Sequence, residues 1–349
     1  MHPNLPNVCR RPRPCLLSIV IPVYNEEPVI SLLQASIEAL IPKIPCAVEI
    51  VLVDDGSRDR TFPLLAQWAL ENSRVKILSL SRNFGHQSAA TAGLDYASGE
   101  AVVLMDADLQ DPPELIITML ERYCDGYDVV YAQRIARDGE GLFKRLTAWA
   151  FYRLMRLLIH QDFPVDAGDY RLLSRPCLDA LRQLRETHRF LRGMVAWVGF
   201  PQTAVQFRRP ARAAGQTKYP FHKMLAFASD AALSFSAFPL KVLFVAGFVM
   251  AGGGFAYVLF AICRLLLGLY MVPGWTSLIV AQCIIGGSIL MGLGMVGSYV
   301  AKIFEEVKAR PLYIVGRSIN LAAMPQPIPQ FPSQPLSQPM MAIPDTEVR

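Results

Sequence analysis

Two aspartates, Asp106 and Asp108, follow directly on the apolar run at residues 101–105. Side chains two residues apart on an extended chain point to the same side, so both carboxylates face one point. Mg²⁺ and Mn²⁺ prefer such oxygens and keep further positions for water and phosphate oxygens. The pair therefore predicts a metal site that binds a diphosphate. Taken alone, the same triplet is more often a solvated turn.

A second acidic pair, Asp54 and Asp55, ends the apolar run at residues 48–53 and is followed by a tight turn. The simpler interpretation is a helix N-cap, which Ser57 or Asp59 can supply. Two further acids are more than a turn needs. We therefore expect Asp54 and Asp55 to contact the base or ribose of a nucleotide.

The acids are placed by a regular alternation of elements. Helical patterns lie between the apolar runs, near residues 26–40 and 61–70, after His86 and after Pro112. Residues 139–192 are also mainly helical in pattern. The apolar runs lie at 16–23, 48–53, 75–80, 101–105 and 128–132. This alternation predicts an α/β fold with a mostly parallel sheet covered on both faces. Ligands of such sheets bind at the carboxyl ends of the strands, where the acids lie.

The apolar residues, 52% of the chain, are concentrated between residues 240 and 301. The stretches 242–262 and 275–301 carry no charged residue, and about 20 residues suffice to span a bilayer. They predict a hairpin of two transmembrane helices at 241–303, with two buried helices of a soluble core as the rival. Lysines and arginines flank the outer ends. The positive-inside rule therefore predicts a multi-pass protein of the cytoplasmic (inner) membrane with its catalytic domain in the cytoplasm.

The remaining segments complete the predicted organisation. The catalytic domain covers residues 16–215, after a flexible N-terminus at 1–15. Interfacial amphipathic helices (216–240), a cytoplasmic segment (304–323) and a disordered Pro-rich tail (324–349) surround the hairpin. Seven cysteines without a CxxC pair indicate reduced thiols. The net charge of +5 comes without a zinc-finger, helix-turn-helix or RNA-recognition signature, so we expect no nucleic-acid partner.

An ordered set of motifs runs through most of the chain. They are IPVYNEE at 21–27, VDDGS at 53–57, SRNFG at 81–85, MDADLQ at 105–110, DAGDYR at 166–171, RAAGQTKY at 212–219, PGW at 273–275 and EEVK at 305–308. Any one of them is unspecific, but the ordered set is highly specific. With these motifs the chain resembles glycosyltransferase family 2 in its dolichol-phosphate-mannose-synthase-like branch. Within that branch it is most similar to the bacterial bactoprenol (undecaprenyl-phosphate) glucosyltransferases.

The resemblance implies a GT-A fold, an inverting single displacement and roles for residues in the matched motifs. Nucleotide-sugar contacts are implied for Pro22, Tyr24, Glu26, Asp54, Asp55, Asp106 and Gln110. Asp106 and Asp108 are implied as the Mg²⁺ or Mn²⁺ site, with Asp108 and Arg134 in catalysis. Acceptor-phosphate contacts are implied for Arg145, Arg212 and Lys218. Asp169, and second to it Asp166, is the acidic residue expected near the acceptor. For each arginine the alternative is a surface ion pair.

The predicted reaction is transfer of a sugar from a nucleotide-sugar to polyprenyl phosphate, with UDP-glucose favoured as donor. An amino sugar, formamido-arabinose or GDP-mannose donor is the runner-up. A processive polysaccharide synthase would carry a Gln-x-x-Arg-Trp motif, and a nicotinamide enzyme a glycine fingerprint after the first strand. Neither motif is present. The rival of a different class is a non-catalytic membrane scaffold or flippase component. We also expect a homo-oligomer, such as a tetramer.

Overall fold

One eight-stranded sheet organises the catalytic part of the chain. The computed structural model describes residues 9–134, 167–207 and 274–321, with part of the chain between 240 and 267. The strands are β1 (Leu16–Val23), β2 (Ala47–Asp54), β3 (Val75–Leu80), β4 (Ala101–Leu104), β5 (Val129–Arg134), β6 (Ala167–Ser174), β7 (Gln202–Phe207) and β8 (Val315–Ile319). Their order across the sheet is β7-β5-β6-β4-β1-β2-β3-β8. The predicted α/β class with a mostly parallel, Rossmann-like sheet is confirmed.

In the described part of the chain, six helices cover the two faces of this sheet, and a longer seventh helix follows them. They are α1 (Glu27–Leu40), α2 (Thr61–Glu71), α3 (His86–Tyr96), α4 (Leu115–Cys124), α5 (Arg175–Gln183), α6 (Leu191–Trp197) and α7 (Trp275–Val307), with a short 3₁₀ helix at Ile41–Lys43. Helices α1, α2 and α4 enclose one core cluster, and α3, α5 and α6 enclose the other. Central strands buried on both faces read as continuous apolar runs, which is why β1 to β5 are recognisable in the sequence.

The parallel register sets which residues share an edge. Strand β1 pairs in parallel with β2 and β4, and β2 pairs in parallel with β3. Asp54, at the end of β2, lies between Val23 of β1 and Ser79 of β3. The residues that follow β1, β2, β3 and β4 therefore meet at one edge, which we call the carboxyl edge.

Strand β6 corrects the prediction that residues 139–192 are mainly helical. It runs antiparallel between β4 and β5, with Arg171 opposite both Leu104 and Tyr131. The polar residues Asp169 and Arg171 interrupt its apolar pattern, although both are buried, at 7% and 3% exposed. An antiparallel strand begins where its parallel neighbours end, so the start of β6 lies at the carboxyl edge.

Helix α7 contains the segment Ile284–Val307, which is long and apolar enough to cross a membrane. Among the described residues it is the one helix that passes this test. The first helix of the predicted hairpin, at 242–262, is described only at scattered residues, so the two-helix hairpin is not confirmed. The predicted interfacial helices at 216–240 lie outside the described residues, apart from Leu240.

The chain returns to the catalytic sheet after α7. Strand β8 pairs antiparallel with β3, starting with Val315 opposite Leu80. The Ser81 N–H donates to Ile314 O at 2.8 Å, and Asn320 Nδ2 donates to Ala69 O at 2.8 Å. The sequence places 304–323 in a separate cytoplasmic segment, but residues 315–319 extend the sheet. Because β8 also begins at the carboxyl edge, the connection at residues 308–314 that follows the apolar helix leads to that edge.

Candidate active site

Asp55 joins two loops of the carboxyl edge. Its backbone N–H donates to Val23 O at 2.9 Å, while its carboxylate accepts the N–H groups of Phe84 at 2.7 Å and Gly85 at 2.9 Å. The residue is 2% exposed. Burial raises the pKa of Asp55, although the two backbone N–H groups oppose the shift. Asp55 thereby fixes the loop that leads into α3.

The carboxylate of Asp54 is also hydrogen-bonded to groups of the surrounding loops. Its carboxylate accepts the Ser57 N–H at 3.0 Å and the Ser79 hydroxyl at 2.8 Å, and the residue is 2% exposed. Gly56, in the turn between Asp55 and Ser57, has φ +69°, and a Cβ there would lie 2.5 Å from the Arg82 carbonyl carbon. The two acids build these loops. The contacts expected from Asp54 and Asp55 to a base or ribose stay predictions.

The loop after β1 presents Tyr24 and Glu26 at the same edge. Tyr24 is 42% exposed, whereas Pro22 is buried inside β1 opposite Val53. The Glu26 N–H donates to Thr61 Oγ1 at 2.9 Å. Burial raises the pKa of Glu26, and the negative charge of Asp108 raises it further. Glu26 therefore lies within electrostatic range of the acidic pair, and Tyr24 is open to a ligand.

The acidic pair follows β4 in a constrained turn. The Asp108 carboxylate accepts the Gln110 N–H at 3.1 Å, and Leu109 between them has φ +53°, which is uncommon for a residue with a side chain. Asp106 Oδ1 lies 3.5 Å from His86 Nε2. Burial raises the pKa of Asp106, the charge of His86 opposes this, and nearby carboxylates add to it. Negative charge is thus concentrated at this turn.

The donor set of this turn fits a hard divalent cation. Gln110 Oε1 is buried and has no hydrogen-bond partner within the described part of the chain. No group of three or more His, Cys, Asp or Glu side chains in residues 9–134, 167–207 and 274–321 forms a complete cation cage. Mg²⁺ and Mn²⁺ sites that bind phosphates commonly use one or two carboxylates and take their other ligands from water and substrate. Asp106 and Asp108 match that pattern.

Asp169 anchors a cluster of cationic and polar side chains beside Asp106. Its Oδ1 accepts Arg192 Nε at 2.6 Å, and its Oδ2 accepts Gln87 Nε2 at 3.3 Å. His86 Nε2 lies 3.5 Å from the same Oδ2. Burial alone would raise the pKa of Asp169, but the hydrogen bond with His86 and the charge of Arg192 outweigh it and hold the pKa well below its ordinary value. Asp169 is therefore a stable carboxylate.

The partners of Asp169 respond in the opposite direction. Its hydrogen bond to His86 raises the pKa of the imidazole, although burial opposes the shift. Behind the cluster, Arg171 donates to Gly168 O at 3.0 Å and Asp169 O at 3.3 Å. Burial lowers the pKa of Arg171 to about 10, so its guanidinium stays charged at neutral pH. The cluster thus sets fixed positive charge beside the acidic turn.

The structure brings together only some of the predicted site residues. Tyr24, Glu26, Asp106, Asp108, Gln110 and Asp169 meet at the carboxyl edge. Arg134 ends β5, but its side chain is not described, and Asp166, Arg145, Arg212 and Lys218 lie outside the described residues. Sequence reasoning missed His86, Gln87 and Arg192. His86 could have been predicted as a site residue, because it directly follows the motif SRNFG. Nothing in the sequence around Arg192, on the short α6, indicates its place in the site.

The chain is similar to known glycosyltransferases. Residues 18–182 match the model of Glycosyl transferase family 2. The uncharacterized glycosyltransferase YkcC of Bacillus subtilis (strain 168) is 47% identical over 304 residues, which are 87% of this chain and 94% of that protein. The SfII prophage-derived bactoprenol glucosyl transferase of Shigella flexneri is 38% identical over 302 residues, 86% of this chain and 98% of that protein.

A solved structure is also similar. It is glucosyl-3-phosphoglycerate synthase from Mycobacterium tuberculosis in complex with Mn²⁺, uridine-diphosphate and glucosyl-3-phosphoglycerate, at 22% identity and a TM-score of 0.43. The similar region covers 62% of this chain and 77% of that chain.

We predict that Asp55→Asn disturbs the whole edge. The new amide would place an N–H₂ group against a backbone N–H donor and leave that donor unsatisfied, which costs about 1–3 kcal/mol. Thermal unfolding in detergent should show a lower midpoint, and nucleotide binding measured by calorimetry should weaken. Asp125→Asn, the same change at a partly exposed aspartate that pairs with Arg122, is the matched control and should have a small effect. An Asp55→Asn protein that unfolds and binds like the parent would contradict the anchoring role.

Proposed function

We propose that the chain, which belongs to glycosyl transferase family 2, transfers glucose from UDP-glucose to a polyprenyl phosphate such as undecaprenyl phosphate. Its family membership shows that it is a glycosyltransferase. We propose its donor, its acceptor and the membrane face at which it acts. The reaction takes place at the cytoplasmic face of the inner membrane and yields a polyprenyl-phosphate-sugar for modification of cell-envelope glycans. The name of the Shigella flexneri relative, a bactoprenol glucosyl transferase, supports both the sugar and the acceptor.

The main support for this proposal is that the chain returns from the apolar helix to the edge of the sheet where the acidic turn lies. Asp106 and Asp169 lie at the carboxyl edge, and β8, which follows α7, begins at the same edge. A polyprenyl phosphate keeps its chain in the bilayer and its phosphate at headgroup depth. An active site that faces the membrane suits such an acceptor better than a sugar hydroxyl in solution.

On the donor side, Asp106 and Asp108 would hold Mg²⁺ or Mn²⁺, which neutralises the charge that develops on a leaving diphosphate. Tyr24 is exposed beside them and is suited to contact the nucleotide. Gln110, two residues after Asp108, has a buried Oε1 without a hydrogen-bond partner among the described residues. These residues orient the donor so that its anomeric carbon faces the Asp169 cluster.

On the acceptor side, the cluster supplies positive charge and needs no strong base. The second pKa of a phosphate monoester is about 6, so the acceptor oxygen is largely anionic near neutral pH. Asp169, with a pKa held well below its ordinary value, is a poor proton acceptor. Its role is to hold Arg192 and His86, whose charges attract the phosphate. The phosphate oxygen bonds to the anomeric carbon while the bond from that carbon to the diphosphate oxygen breaks, with inversion.

The proposal also includes basic residues that lie outside the described part of the chain. Arg145, Arg212 and Lys218 would bind the acceptor phosphate, and Arg134 would act in catalysis. An arginine offers two parallel donors to a phosphate, which a lysine cannot reproduce. In the sequence, Arg212 and Lys218 come shortly before the apolar stretch that begins at residue 242, which suits contacts with a phosphate at headgroup depth.

A panel of radiolabelled nucleotide-sugars tests the function. Membranes that contain the protein and added undecaprenyl phosphate should form a labelled, organic-extractable lipid with UDP-glucose, and much less with UDP-N-acetylglucosamine, UDP-formamido-arabinose or GDP-mannose. Membranes with Asp108→Asn are the control for other enzymes. Label transferred from another sugar would change the donor. Transfer to a water-soluble hydroxyl acceptor, with none to lipid, would overturn the acceptor.

Metal dependence is a separate prediction. Chelation should abolish transfer, and Mg²⁺ or Mn²⁺ should restore it. Asp108→Asn should lower kcat by about a hundredfold, because charge stabilisation by a cation contributes several kcal/mol and each 1.4 kcal/mol is about tenfold in rate. Asp125→Asn, an exposed aspartate at the end of α4 that pairs with Arg122, should leave kcat unchanged. Full activity in excess chelator would exclude the metal role.

A further inference from the structure

The end of the apolar helix α7 is fastened to the catalytic domain by a glutamate. Glu306 Oε1 accepts the Thr187 backbone N–H at 2.8 Å, and its Oε2 accepts the Thr187 hydroxyl at 3.1 Å. Both oxygens of one carboxylate therefore hold one residue. Thr187 belongs to the connection between α5 and α6, far from Glu306 in sequence.

The same connection is fastened to the active site at its other end. The Leu191 N–H donates to Gln87 Oε1 at 3.0 Å, and Arg192 Nε donates to Asp169 Oδ1 at 2.6 Å. Gln87 also reaches Asp169. We call residues 187–192 the coupling segment. Its five steps span at most about 18 Å when fully extended, so a displacement at Thr187 is readily passed on to Arg192.

The residues that lead from α5 into α6 form neither helix nor strand. Helix α6 begins at Leu191 with Phe190 as its N-cap residue, and no side chain of this residue caps it. The first N–H of the helix is satisfied by Gln87 instead. Leu191 is buried in the core, so Arg192 is placed by that packing together with the hydrogen bonds at the two ends of the segment, one at the active site and one at α7.

We propose that Glu306 is a positioning residue for the transfer reaction. By holding Thr187 it fixes the coupling segment, and through that segment it keeps Arg192 against Asp169, so that the membrane helix sets the geometry of the cationic cluster. This inference rests on the proposed function for its catalytic consequence. Its structural part, the dependence of the coupling segment on Glu306, can be measured without any substrate.

The neighbouring Glu305 provides a matched control. It pairs with His188 Nε2 at 2.6 Å, but the two side chains are 51% and 43% exposed. Exposed ion pairs contribute little, because water and salt screen them. Glu306, in contrast, accepts a backbone N–H and a hydroxyl in a part-buried position. The two glutamates thus lie at the same helix end, and we expect only Glu306 to hold the coupling segment in place.

Hydrogen exchange of the full-length protein in nanodiscs tests the structural part. In Glu306→Ala the amides of residues 187–192 should exchange at least about tenfold faster than in the parent, since a charged hydrogen-bond acceptor is lost. In Glu305→Ala they should exchange at the parental rate. Glu306→Gln, whose amide oxygen still accepts the Thr187 N–H, should restore much of the protection. Unchanged exchange in Glu306→Ala, or equal effects of the two alanine variants, would overturn the proposal.

Kinetics tests the consequence for the reaction. Glu306→Ala should lower kcat about tenfold while the affinity for the nucleotide-sugar, measured by calorimetry, stays within about twofold. In an Arg192→Lys background the same change should have little further effect, because residues that act through one another are not additive. An equal loss in that background would show that Glu306 acts elsewhere. If the parent protein transfers no sugar to polyprenyl phosphate, the proposed function fails, and the exchange experiment alone decides the coupling.

Discussion

The parallel pairing of β1, β2, β3 and β4 is the constraint on which the site depends, because parallel strands all end at one edge. Two antiparallel strands, β6 and β8, begin at the same edge. Strand β6 starts there and contributes Asp169. Strand β8 also starts there, after the connection that follows the apolar helix. The acidic turn, Asp169 and the chain that returns from the apolar helix therefore share one edge of the sheet.

Charge is divided within this edge. The Asp169 carboxylate is matched by Arg192, with Gln87 and His86 beside it, and its low pKa keeps it ionised. In the acidic turn, burial raises the pKa of Asp106 and nearby carboxylates add to the rise, although the charge of His86 opposes it. Asp169 bonds directly to an arginine, whereas Asp106 lies 3.5 Å from a histidine that it shares with Asp169, and this difference separates two tasks. One side suits an anionic acceptor, and the other suits a cation that carries a diphosphate.

Much of the fold could be predicted from the sequence, because doubly covered strands such as β1 are continuous apolar runs bounded by turn residues. Strand β6 was missed since Asp169 and Arg171 break its apolar pattern, and their burial depends on partners distant in sequence. Strand β8 was missed since nothing local indicates that a chain leaving a 33-residue helix rejoins the sheet. The acidic turn was predicted, but the loop-building contacts of Asp55 depend on the distant Gly85 N–H and have no local pattern.

The proposed function requires that the carboxyl edge faces the bilayer. Arg74 and Arg82 lie just outside opposite ends of β3, and both are exposed. The six residues of β3 separate them by about 20 Å or more. With the native cysteines removed, a fluorophore on Arg82→Cys or on Arg74→Cys can be tested in nanodiscs with nitroxide-labelled lipids. We expect strong quenching at position 82 and weak quenching at position 74. Equal quenching at both positions, or stronger quenching at position 74, would contradict it.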